Sequence, residues 1–222
     1  MKHLFARLSL LLFPPKCVLC GNLLQGQEHD LCHACRTHTP ERPHSRKKLP
    51  YLANWCALWY YEDNVRSSLH RYKFRNARSY ASVYGRLLAM KLQKEFAGAF
   101  DILTWVPVSP KRRWERGYDQ VELLAMAVGC ELGITPVCTL QKIRDNPPQS
   151  GITGYAQRKA NVLGVYKAVE PAALHGKRVL LLDDIITTGA TSGECARVLL
   201  TAGAKEVICA AIAAAPNEKI SR

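Results

Sequence analysis

The residues of this chain whose types and spacing best suit chemistry are two adjacent carboxylates and the short run behind them. These are Asp183 and Asp184, then Thr187, Thr188, Gly189, Ala190 and Thr191. Carboxylates accept hydrogen bonds from sugar hydroxyls, whereas threonine hydroxyls and the unpaired N–H groups at a helix start donate to a phosphate. A glycine lets the backbone come close to the anion. A ligand with vicinal hydroxyls on one side and a phosphate on the other fits both ends, and a ribose 5-phosphate has that shape. The competing reading is two acids capping a helix behind an ordinary loop.

A second set is made of thiols. Cys17 and Cys20 form one Cys-x-x-Cys pair, and Cys32 and Cys35 form another after eleven intervening residues. Two such knuckles bring four thiolates onto one tetrahedral zinc ion, with no open position, so the metal is expected to be structural. A redox dithiol is the alternative, although it usually takes a single Cys-x-x-Cys that opens a helix after a strand. A third set is cationic: Arg112, Arg113 and Arg116, with Lys111, follow Asp101–Val108, which reads as a strand stopped by Pro107. Arginine forks suit phosphate oxygens, and a solvated basic loop is the plain alternative.

These sets need elements to position them. Val179–Leu182 has no polar alternation and reads as a strand buried on both faces, with a helix opening near Ser192. Strands at 56–61, 101–108, 137–140 and 206–214 alternate with helical stretches at 64–75, 80–96 and 120–132, which predicts a parallel sheet with helices on both faces. In such a sheet, ligands bind beyond the carboxyl ends of the strands. If the first basic strand and the acid-pair strand are neighbours, the arginines share that edge with the acids.

With 222 residues and 48% apolar content, the chain can hold one substantial core and a small appendage. Its formal net charge of +13 favours anionic partners. Nine cysteines are an odd number, and five of them stand singly, which fits free thiols in a reducing, cytoplasmic compartment. Lys2–Phe13 is basic and then apolar, but too short and too poor in small residues for a secretory signal. It reads as an amphipathic helix packing on the body, with peripheral contact at the inner membrane face as the alternative. No stretch reaches transmembrane length.

The run Val179–Thr191 resembles the signature of type I phosphoribosyltransferases, and the whole chain resembles the ComF family of competence-associated proteins. Further matches are Tyr72-Lys73-Phe74, the segment 109–120, and Gln149, Arg158 and Asn161, the last three placed where phosphoribosyltransferases carry a flexible loop. One departure is Asp119, where the family usually has Asn. The resemblance implies the type I phosphoribosyltransferase fold, an N-terminal zinc ribbon, and phosphoribosyl pyrophosphate (PRPP) bound with Mg²⁺. It implies displacement of pyrophosphate by a nitrogen acceptor, with Asp183 and Asp184 at the ribose, 187–191 at the 5-phosphate, and Arg112, Arg113 and Arg116 at the pyrophosphate. The domains expected are an N-terminal helix with the four-cysteine module (1–36), a basic linker (37–52) and the phosphoribosyltransferase-like domain (53–222). The family's association with DNA uptake implies competence-machinery partners. It also supports a second hypothesis, a non-catalytic factor that binds single-stranded DNA through clustered cations interleaved with Tyr72, Phe74, Trp114 and Tyr118.

Overall fold

The computed structural model describes residues 14–44, 47–147 and 155–216. The expected helix over 2–13, Arg46 and Gln149 lie outside them. Four parallel strands form the main sheet: β1 (Asn54–Tyr60), β2 (Ile102–Trp105), β5 (Arg178–Ile186) and β6 (Glu206–Ala214), in the order β1-β6-β5-β2. The central pair is apolar on both faces. Leu180, Leu181 and Leu182 of β5 oppose Ile208, Cys209 and Ala210 of β6, and Ile185 and Ile186 oppose Ala213 and Ala214. Fully apolar strands of this kind demand cover on both sides.

One face is covered by three helices: α2 (Asp63–Phe74), α3 (Tyr80–Phe96) and α5 (Gln120–Leu132). Here α3 and α5 approach so closely that a Cβ on Gly85 would meet the Ala127 side chain at 2.4 Å. The other face is covered by α8 (Ala190–Thr201). Between β2 and α5 runs the short α4 (Pro110–Arg116), started by the Ser109 side chain and ended by Gly117 in the left-handed conformation.

The strand expected at 137–140 is displaced. Val137 and Thr139 do bond to β2, through Val137 N–H to the Leu103 carbonyl (2.8 Å) and the Thr139 hydroxyl to that of Thr104 (2.7 Å). The regular strand is β3 (Leu140–Lys142), which leaves the main sheet to pair antiparallel with β4 (Tyr166–Ala168). The small helices α6 (Tyr155–Val162) and α7 (Pro171–Leu174) flank β4.

The cysteine segment carries α1 (His33–His38) and packs directly on α2. Ser68 donates to the Val18 carbonyl, Arg71 donates to the Leu19 carbonyl at 2.5 Å, and Leu19 and Leu31 join the main apolar cluster. The basic stretch behind it also packs rather than hanging in solvent. Arg42 is buried with its guanidinium 4.5 Å from the Trp55 ring, Trp55 Nε1 donates to the Lys47 carbonyl, and Leu49 is buried. Its course is fixed by these contacts together with the bond from Lys91 Nζ to the Arg42 carbonyl at 2.8 Å.

Candidate functional site

β5 runs four residues past Leu182, so the two acids sit within the strand rather than after it. Neighbouring strand residues point to opposite faces. Asp183 accordingly shares the α8 face with Val179 and Leu181, whereas Asp184 shares the α2/α5 face with Leu180 and Leu182. Both are buried, yet they have different partners. Asp184 Oδ2 receives Lys73 Nζ from the end of α2 at 2.9 Å and Gln120 Nε2 from the start of α5 at 2.8 Å. Gln120 Oε1 in turn accepts from Arg116 at 2.8 Å. Asp183 accepts the Asp184 N–H at 2.8 Å and has no ion pair among the described residues.

The two carboxyls therefore titrate apart. Burial pushes Asp183 up, to about 8, and the adjacent Asp184 charge adds to the rise. Burial would raise Asp184 as well, but the Lys73 charge, the hydrogen bonds from Lys73 and Gln120, and nearby Arg116 more than offset it and hold that carboxyl below its usual range.

Beyond Asp183 the chain turns into α8, and Asp183, Ile186 and the run Thr187–Ser192 line one pocket. Gly189 is the N-cap, with φ +78°, and a Cβ there would lie 2.8 Å from Leu49 Cδ2. The left-handed backbone favours glycine here, and any side chain would also have to displace Leu49. Thr188 Oγ1 accepts the Ala190 N–H, and Ser192 donates to the Gly189 carbonyl, which holds the turn in place.

The condition on the cations is met, because β2 lies beside β5 with Trp105 opposite Leu182. The three arginines nonetheless diverge on their helix. Arg112 is half-buried and donates to the Asn146 carbonyl at 2.8 Å. Arg116, also half-buried, stands 4.9 Å from the Phe74 ring and feels the Asp184 charge. Arg113 is exposed and pairs with Glu122 at 3.0 Å. Residues i and i+4 of a helix share a side, and i+1 does not.

Asp119 has a structural account. Its Oδ1 accepts from Val121 and Glu122 N–H at 2.9 and 3.1 Å, and its Oδ2 from Val108 N–H at 2.9 Å. It is the buried N-cap of α5; Asn could cap the helix through its one oxygen, but only a carboxylate also accepts from Val108 N–H. Lys73 and Gln120 were not read from the sequence as partners of the acids; their membership in the Tyr72-Lys73-Phe74 and 109–120 segments was the available signal. Tyr72 and Tyr118 are core residues, and Tyr72 donates to the Gln120 carbonyl at 2.5 Å.

The four cysteine sulfurs Cys17, Cys20, Cys32 and Cys35 lie within 4.8 Å of one another, and Cys20 Sγ is 3.7 Å from Cys32 Sγ. A tetrahedron of sulfurs at ~2.3 Å from zinc has an edge of about 3.8 Å, so the donor set fits the ion. Among the described residues this is the one cluster of metal-ligating side chains found, and no helix is long and apolar enough to cross a membrane.

Residues 124–221 match the phosphoribosyl transferase domain family, and residues 8–46 match the double zinc ribbon domain. The chain is 25% identical over 215 residues to Competence protein F of Haemophilus influenzae, covering 86% of this chain and 93% of that one. It is 29% identical over 224 residues to Competence protein ComFC of Streptococcus pneumoniae (86% and 96% covered). It is 26% identical over 200 residues to DNA utilization protein YhgH of Salmonella typhimurium (86% and 86%). The chain thus has homologues named as competence proteins F and ComFC and as a DNA utilization protein, each aligned over most of its length, with a zinc-ribbon match at one end and a phosphoribosyl transferase match at the other.

Proposed function

We propose that the carboxyl end of β5 binds PRPP with Mg²⁺ and supports transfer of its phosphoribosyl group to a nitrogen acceptor. The observation that carries this reading is the buried acid pair, Asp184 held by Lys73 and Gln120 and Asp183 beside the pocket of Thr187–Ser192. In this reading the hydroxyls and N–H groups of Thr187, Thr188, Gly189, Ala190 and Thr191 hold the 5-phosphate at the start of α8. Asp183 and Asp184 take the ribose hydroxyls, and Arg112 and Arg116 face the departing pyrophosphate. Asp184 stays ionised beside Lys73, so its charge is available to the oxocarbenium-like ribose as the bond to pyrophosphate lengthens.

Asp183, which has no cationic partner of its own, is the carboxylate suited to a hard cation that arrives with the pyrophosphate. Mg²⁺ when bound neutralises charge on the leaving oxygens. The seven positions on β5 and its loop thus act by binding and charge placement, with no covalent intermediate on the protein.

The test is calorimetric titration with PRPP and Mg²⁺. Saturable binding is expected in the wild type, and Asp184→Asn is expected to weaken it by one to two orders of magnitude, about the value of a charged hydrogen bond. A folded wild type that binds no PRPP would overturn the reading.

A second reading, binding of single-stranded DNA, is favoured by two exposed aromatics: Trp114 at 85% and Phe74 at 60% exposure, the latter stacked with Arg116. Affinity for an oligonucleotide is then expected to fall steeply with salt and to drop in Trp114→Ala. Salt-insensitive or absent binding would remove it.

A further inference from the structure

The stretch expected as a basic linker ends against the loop that opens α8. Leu49 is buried, and its Cδ2 and Cδ1 would lie 2.8 and 3.0 Å from a Cβ built on Gly189. Pro50 follows, its carbonyl oxygen 3.1 Å from where a Cβ on Gly193 would stand, and Arg197 is close enough to feel Tyr51. Gly189, Gly193 and Arg197 are spaced four residues apart, so they share one side of α8, and residues 49–51 lie along it.

Three bonds fix this turn from both sides. Trp55 Nε1 donates to the Lys47 carbonyl at 2.7 Å, Leu52 N–H to the Leu49 carbonyl at 3.3 Å, and Ala53 N–H to the Val207 carbonyl of β6 at 2.9 Å. Tyr51 between them has φ +63°, a left-handed conformation that costs a non-glycine residue free energy and persists only where its surroundings hold it. Leu49, Leu52 and Trp55 join Cys195, Ala196 and Leu199 of α8 in one buried cluster. The loop on the other side of the contact is less firmly tied. Gly189 has the conformational freedom of glycine, and the bonds within its turn are long, at 3.4 Å from Ala190 N–H to Thr188 Oγ1 and 3.3 Å from Ser192 Oγ to the Gly189 carbonyl. Leu49 is not among the residues that line the pocket, so it meets the loop from outside.

We propose that residues 47–52 are a strap that holds the loop Thr187–Ser192, and that Leu49 is a positioning residue for the binding of a phosphate monoester. Seated against Gly189, it keeps the hydroxyls and N–H groups of the loop converged on one anion. That this anion is the 5-phosphate of the ligand rests on the phosphoribosyl reading. The segment between the cysteine module and the sheet is then part of the site, although it contributes no atom to the pocket.

The test is calorimetry of the full chain with ribose 5-phosphate, PRPP and inorganic pyrophosphate, each with Mg²⁺, on wild type, Leu49→Ala and Leu49→Met, alongside thermal melts. Leu49→Ala is expected to lose about tenfold in affinity for ribose 5-phosphate and PRPP, with pyrophosphate affinity kept within about twofold, because a displaced loop weakens only the end of the ligand that it grips. Leu49→Met, which conserves volume, is expected to restore most of the loss. Leu174→Ala is the control for stability. Leu174 is buried in the same cluster but beside the start of β5, away from the loop, so its loss should lower the melting temperature and leave all three affinities in place. A double-mutant cycle tests the seat itself: Gly189→Ala is expected to lower the melting temperature more in the wild type than in Leu49→Ala, since the backbone strain is common to both and only the wild type has Leu49 in the way. Equal ribose 5-phosphate affinity in wild type and Leu49→Ala overturns the proposal, as does a loss shared by pyrophosphate, a matching loss in Leu174→Ala, or additive melting shifts in the cycle. Ribose 5-phosphate binding that depends on Leu49, without any binding of PRPP, leaves the strap standing and ends the phosphoribosyl reading. PRPP binding indifferent to Leu49 does the reverse, and a wild type that binds neither sugar phosphate ends both.

Discussion

The cysteine module and the acid-pair site are both clusters of ionisable side chains, but they are assembled in opposite ways. The module draws all four of its sulfurs from 19 consecutive residues, Cys17–Cys35, and each is equivalent to the others at a tetrahedral ion. The acid pair starts as two neighbours of identical chemistry, and the fold makes them unlike by giving Asp184 a lysine 111 residues away and a glutamine 64 residues away. A metal site can be specified by spacing, because the ion enforces the geometry. An acid with a tuned charge is specified only once distant helices are docked.

The largest effect that would separate the two regions lies in the module. Cys32→Ser removes one thiolate from a site whose metal supplies folding free energy of roughly 10 kcal/mol or more in small zinc modules. Because Val18 and Leu19 carry the carbonyls that hold Ser68 and Arg71 of α2, loss of the ion is expected to loosen the helix that delivers Lys73 to Asp184. Metal analysis is expected to fall from one zinc per chain to none, with a collapse of the cooperative melt. A metal-free variant that melts like the wild type would show the module to be independent of the ion.

Next comes Lys73→Met. It leaves Asp184 buried with Gln120 as its remaining hydrogen-bond donor, a loss expected to cost about 3 kcal/mol near neutral pH. The pH dependence gives the sign. Asp184 is held below its usual value in the fold, so the contribution of the ion pair is full above the ordinary carboxylate range and fades as pH falls through the folded value. The stability gap between Lys73→Met and wild type in denaturant titrations should therefore narrow in acid. A gap that is constant with pH would mean that Lys73 acts by packing alone.

Asp183 should behave in the reverse sense. Its carboxyl is raised to about 8, so ionising it weakens the fold progressively as pH rises from about 4 to about 8. Asp183→Asn removes that penalty and is expected to stabilise the free protein at pH 8, on the order of 1 kcal/mol, while impairing ligand binding. A destabilised Asp183→Asn at pH 8 would argue that the acid is structural. Stability gained with binding lost is the mark of a residue kept for its ligand.

How much of this was legible beforehand follows from the same contrast. The four cysteines could be read from spacing, and the alternation of strands and helices could be read from apolar runs, because both signals are local. The loop 187–191 was legible because its glycine and threonines are contiguous. Lys73 and Gln120 were not, since a lysine at a helix end and a glutamine after an aspartate are ordinary until tertiary packing brings them to a buried acid. Tyr72 and Tyr118 looked like stacking faces because sequence gives aromatic character without exposure. The strand expected at 137–140 is shifted to Leu140–Lys142 because β-propensity says nothing of which partner wins: Val137 stays on the sheet edge, bonded to the Leu103 carbonyl, while Leu140–Lys142 pairs with Tyr166–Ala168.

The smallest effect tests the finest part of the comparison, the division of labour within one seven-residue helix. Arg112, Arg113 and Arg116 are the same residue type within five positions, and sequence offers no ground for ranking them. The turn of the helix does. Arg112 and Arg116 lie one helical turn apart on the side toward Asn146 and Gln120, whereas Arg113 pairs with Glu122 while 59% of its side chain is in solvent. A pair that exposed contributes roughly 0.5 kcal/mol or less. Arg113→Ala is thus expected to leave melting temperature and pyrophosphate affinity nearly unchanged, and Arg112→Ala to reduce pyrophosphate affinity severalfold at unchanged stability. If Arg113→Ala proved as damaging to binding as Arg112→Ala, the anion would have to reach the outer side of the helix, and the basic face rather than the buried cluster would be the receptor.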